Sequence, residues 1–86
     1  MTPEQCRSAR AWLALKQSEL AKQARVSLRT VAAFERGEIT PLPNNLSAMQ
    51  VVFERAGLRL LFDQDGASAG IVRQGARIAP SDPATT

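Results

Sequence analysis

Histidine and tyrosine are absent from the 86-residue sequence, and cysteine occurs once, at Cys6. A lone cysteine forms no disulfide within the chain. Without histidine, imidazole general bases, Cys-His and Ser-His-Asp nucleophile systems and His/Cys zinc sites are all excluded. The composition points away from an enzyme and calls for no metal and no cofactor. Apolar runs of about 18 residues, which a membrane-spanning helix needs, are also missing, and the N-terminus lacks a basic segment followed by an apolar one. A cytoplasmic protein with no membrane partner is expected.

What is present describes a small folding unit. Hydrophobic residues make up 44% and charged residues 22%, so the chain has enough apolar surface to fold. A chain this short buries only about 60% of its unfolded surface, so it needs good helix packing or a partner subunit. The net charge is +3. Residues 1–57 hold eight of the eleven basic and five of the eight acidic residues, and the remainder is balanced. Any polyanion should therefore bind in the first two-thirds of the chain.

Four helices are legible in that part. Thr2, Pro3 and Gln5 form a start signal of cap, first-position proline and capping-box glutamine, and Cys6, Ala9, Trp12, Leu13 and Leu15 continue as an apolar stripe ending near Leu15. Gln17 to Ala24 reads as a second helix with Leu20, Ala21 and Ala24 inward. Ser27 caps a third, with Val31 and Phe34 on its buried face, and Gly37 ends it. After a loop from Glu38 to Pro43, Asn44 or Asn45 caps a fourth helix carrying Leu46, Met49, Val52, Phe53 and Ala56, which Gly57 terminates. The apolar runs Leu58–Phe62 and Ile71–Arg73 flank a glycine-containing loop and predict a β-hairpin. The loop's Asp63 and Asp65 are too few ligands for a cation site and are better read as turn residues. Residues 74–86 are polar, contain Pro80 and Pro83, and are expected to be a disordered tail.

The segment Leu15 to Gly37 reads LKQSELAKQARVSLRTVAAFERG. Gln17, Glu19-Leu20-Ala21, Ala24, Val26-Ser27, Thr30-Val31 and Phe34-Glu35-Arg36-Gly37 together resemble the helix-turn-helix of the Xre/phage-repressor class of transcriptional regulators. Gln5-Cys6-Arg7, Thr40-Pro41, Pro43 and Asn44-Asn45-Leu46 extend the likeness to a compact bacterial subgroup with a C-terminal hairpin, so that it covers about residues 3 to 73. Lys16 stands where that family usually has a capping Ser or Thr, and Arg25 where it often has a turn glycine.

The resemblance implies a mainly α fold: a four-helix repressor-like domain over 1–57, then a β-hairpin over 58–73. It also implies a sequence-specific double-stranded DNA-binding regulator, a nucleoid-associated repressor working by occupancy. Leu28, Arg29, Thr30 and Ala33 would read bases, a guanidinium binding guanine O6 and N7 bidentately and a leucine meeting a thymine methyl. Gln17, Ser27, Arg36, Asn44 and Asn45 would meet phosphates at helix N-termini and nearby. Leu58, Leu60, Leu61, Phe62, Ile71 and Val72 put apolar side chains on both faces of a two-stranded ribbon. One face can lie on the helices, and the other would pair with a second copy to form a homodimer on an inverted-repeat operator. An alternative stays open, in which the scaffold mainly holds a protein partner, as an antitoxin does. Cys6 and Trp12 read as core and packing residues.

Overall fold

The computed structural model describes residues 1–65 and 68–73. The expected tail, 74–86, lies outside the described residues, as does the middle of the hairpin loop. Four helices, α1 (Pro3–Leu13), α2 (Gln17–Ala24), α3 (Leu28–Glu35) and α4 (Pro43–Arg55), precede two antiparallel strands, β1 (Leu58–Phe62) and β2 (Ser68–Arg73).

Local chemistry sets most boundaries. Thr2 Oγ1 accepts from the Gln5 amide and Gln5 Oε1 accepts from the Thr2 amide, both at 3.2 Å, closing the capping box that starts α1. The helix stops at Leu13 rather than near Leu15, because Ala14 takes the left-handed conformation at φ 54° and the Leu15 amide turns back to the Arg10 carbonyl at 2.9 Å. Arg25 closes α2 in the same conformation, at φ 58°, without the glycine common there.

Two starts differ from what a Ser or Thr cap would give. At α2 the Glu19 carboxylate reaches back to the Lys16 amide at 2.8 Å, so the cap is supplied from inside the helix. At α4 the cap is Leu42, not Asn44 or Asn45. Proline is well suited to the first helical position, so Pro43 starts the helix early and leaves both asparagines in its first turn.

The core joins all the elements: Cys6 and Ala9 from α1, Leu20, Ala21 and Ala24 from α2, Val31 and Phe34 from α3, Met49, Val52 and Phe53 from α4, and Leu58 and Leu60 from β1. Each large side chain so buried contributes about 1.5 to 3 kcal/mol. Trp12 departs from its expected role as a packing anchor: it is 44% exposed, with the Arg73 guanidinium 5.6 Å from its ring centre.

The hairpin is a wall of this core. Leu58 pairs with Arg73 and Leu60 with Ile71, which puts these four on the inner face, while Arg59, Val72 and Leu61 belong to the outer one. Gln5, itself buried, donates through Nε2 to the Leu61 carbonyl at 2.7 Å and the Gly70 carbonyl at 3.2 Å. One side chain thus caps α1 with its oxygen and anchors both strands with its nitrogen. No helix among the described residues is long and apolar enough to cross a membrane.

Candidate nucleic-acid interface

The turn between α2 and α3 runs through Arg25, Val26 and Ser27. Ser27 Oγ accepts from the Thr30 amide at 3.0 Å and donates to Thr30 Oγ1 at 2.8 Å. Its hydroxyl is therefore committed to starting α3. That cap projects the first turn of α3 outward: Leu28 is 49% exposed and Arg29 is exposed. Arg29 makes no hydrogen bond or ion pair with any described residue. Thr30 and Ala32 are half-buried on the flanks.

Ala33, expected among the base-reading residues, lies on the buried side of α3. At 8% exposure, with Val31, Phe34 and Glu35 around it, its single methyl offers almost no surface to a ligand. The exposed surface of α3 at this end is thus Leu28, Arg29 and the edges of Thr30 and Ala32.

Behind this surface lies a polar cluster that sequence reasoning missed. Glu35 is 3% exposed, and Arg10 grips its carboxylate with Nε on Oε2 and Nη2 on Oε1, both at 2.6 Å. Cys6 Sγ donates to Oε2 at 3.0 Å and Gln17 Nε2 to Oε1 at 2.9 Å, while Arg7 Nη1 donates to the Glu35 backbone carbonyl. Arg10 Nη1 also holds the Leu15 carbonyl at 3.0 Å. Burial by itself would raise the Glu35 carboxyl, but the hydrogen bonds from Arg10, Cys6 and Gln17 outweigh it and hold the group below the ordinary carboxylate range. Burial, reinforced by the adjacent carboxylate, drives the Cys6 thiol far upward, so it remains a neutral donor. The signal for this cluster was present in outline: Cys6 and Arg10 are four residues apart on one face of α1, and Glu35 follows a core phenylalanine.

Apart from Ser27, the expected phosphate-contacting residues fall on α2, on α4 and just past the end of α3. Gln17 opens α2, half-buried, with its amide on Glu35. Asn44 is exposed and Asn45 half-buried in the first turn of α4. Arg36, just past α3, is exposed and holds Glu38. Of the six residues expected to form a dimer surface, Leu58 and Leu60 are buried in this chain's own core and Ile71 packs against it. Leu61 and Val72 stay half-buried on the outer face, and Phe62, beyond the bulge after Leu61, is exposed.

No curated protein matches the chain. A family model described as helix-turn-helix, of the Xre/Cro type, matches residues 7–56, which run from within α1 to the end of α4. The match takes in the capped α3, the turn before it and the Arg10–Glu35 pair, and so the chain belongs to the Xre/Cro-type helix-turn-helix family of DNA-binding regulators.

Proposed function

We propose that the protein is a sequence-specific repressor that binds double-stranded DNA as a homodimer and acts by occupying an inverted-repeat operator. The observation that carries this reading is the exposed Leu28-Arg29 pair at the capped start of α3, apolar and cationic side chains on a rigid helix with no partner of their own among the described residues. Arg29 reads a guanine and Leu28 meets a thymine methyl. Gln17, Arg36, Asn44 and Asn45 contact backbone phosphates. With Ala33 buried and Ala32 short, few base contacts are available per protomer, and specificity comes from doubling the site and from DNA shape.

Arg29→Ala is expected to weaken binding to a selected operator by about 1 to 3 kcal/mol while leaving random duplex nearly unaffected. Gln17→Ala should weaken both alike. Titrating both duplexes, after selecting the operator from a random pool, separates these outcomes. Equal losses on the two duplexes for Arg29→Ala would place Arg29 on the backbone, and no binding by the unaltered chain to any duplex would sink the DNA reading.

The homodimer is built on the outer face of the hairpin, where Leu61 and Val72 lie diagonally across the strands, with the exposed Phe62 beyond the bulge. Pairing two such ribbons covers that face and sets two copies of α3 about one DNA turn apart. The unaltered chain is expected to sediment as a dimer at high micromolar concentration and the Leu61→Gln/Val72→Gln variant as a folded monomer. A monomeric unaltered chain refutes the model. A protein-holding, antitoxin-like role is the second reading, favoured by the exposed Ile39 and 72%-exposed Leu42 in the loop after α3 and the exposed Val51 on α4. A stoichiometric partner that competes with DNA would decide for it.

A further inference from the structure

Arg36 follows the last residue of α3, and Glu38 lies two positions on, across Gly37. Gly37 has φ 77°, a conformation that turns the chain sharply and suits glycine. The turn brings the two side chains together: Arg36 Nε donates to Glu38 Oε2 at 2.7 Å and Nη2 to Oε1 at 3.0 Å. Both side chains are more than half exposed, so the pair is not part of the core. Two parallel N–H bonds from one guanidinium edge are also the geometry in which arginine holds a phosphate. The carboxylate occupies the same fork that a DNA strand would use.

We infer that Glu38 is an internal phosphate mimic that limits the protein's affinity for DNA. The inference rests on the reading of Arg36 as a phosphate contact. To bind there, a strand must displace Glu38 and then sit beside the freed carboxylate, which repels it. An exposed ion pair is weak enough to be exchanged, so Glu38 does not block binding. It subtracts from it, for every sequence equally, because phosphates carry no base information. Affinity for DNA of any sequence is thereby kept low, while the Arg29 contact, and with it the ratio of operator to random binding, is untouched.

The test is a titration of random-sequence duplex at several salt concentrations with four chains: unaltered, Glu38→Gln, Arg36→Ala, and the double variant. Glu38→Gln is expected to bind about three- to tenfold more tightly, with a log–log salt slope steeper by up to about 0.9 per protomer, as the charge of Arg36 is no longer offset by the carboxylate beside it. The double variant should bind like Arg36→Ala alone. An equal gain from Glu38→Gln in the presence and absence of Arg36 would mean a bulk charge effect and overturns the inference. No gain at all overturns it as well. Loss of Arg36 dependence with DNA binding intact defeats this inference only, whereas an unaltered chain that binds no DNA defeats the function on which it stands.

Discussion

Arg10→Met is expected to destabilise the fold by about 3 to 5 kcal/mol, because it leaves the Glu35 carboxylate buried without its countercharge. For a domain of this size, at the lower end of the usual 5 to 15 kcal/mol, that is most of the available stability. The reason is an asymmetry: Arg10 is partly exposed and can reach water if Glu35 is lost, whereas Glu35 cannot. Glu35→Ala should therefore cost less than Arg10→Met, and the double variant Arg10→Met/Glu35→Leu should recover much of the loss. The pH dependence should change sign between variants. In the unaltered protein the Glu35 carboxyl lies below its ordinary value of 4.5, so its contribution is complete above that pH and is lost as the pH falls through the depressed value. Without Arg10, burial dominates and raises the carboxyl, so the variant is least stable at neutral pH and its deficit shrinks on acidification toward pH 4. Urea denaturation of the variants across this range checks both statements. A neutral-pH deficit under 1 kcal/mol for Arg10→Met would show that Glu35 finds water or another donor, and the cluster would lose its structural importance.

Ending the chain at Gly57 should be nearly as damaging. The helices alone look like a complete domain in sequence, but Leu58 and Leu60 are buried in the core and Gln5 spends its amide nitrogen on two hairpin carbonyls. Two leucines returned to water amount to about 3 to 6 kcal/mol, and an orphaned buried amide adds to it. The truncated chain is expected to show a lower helix signal in circular dichroism and a broad thermal transition. A truncation melting cooperatively at the unaltered midpoint would mean that the helices close their core unaided. It follows that removal of the hairpin is a poor assay for dimerisation, since it unfolds the protomer it was meant to separate. Substitutions on the outer face avoid this.

How much of this was readable in advance depended on the distance over which the physics acts. The bounds of α2, the start of α3 and its buried Val31 and Phe34 followed from caps and periodicity within a few residues, and the capping box at Thr2 and Gln5 was legible for the same reason. The start of α4 was misplaced because two capping asparagines compete with a proline whose fixed φ already suits the first turn. Apolar alternation in Leu58, Arg59 and Leu60 was visible too, yet nothing in it said that the leucine side would become the core wall. Least legible was the Glu35 cluster, since Arg10 and Glu35 are 25 residues apart and charged residues look solvated until the helices are assembled. Ala33 illustrates the limit of resemblance: a position that faces outward when it carries a long side chain can present almost nothing when it carries a methyl.

The two hydrogen bonds of Gln5 span 56 and 65 residues, so the beginning of the chain waits for its end. The cost of closing so long a loop grows only slowly with length, but it must be met before the contacts reward it. Contacts between α2 and α3 are local and can form early, whereas α1 gains its hairpin partners only after Gly70 exists. On the ribosome, where synthesis proceeds from the N-terminus, α3 is therefore assembled before its support is complete. During that interval Leu20, Phe53 and the other core side chains lack one wall. β2, made after the helices, finishes the enclosure, and the order of synthesis becomes the order in which the exposed start of α3 acquires its rigidity.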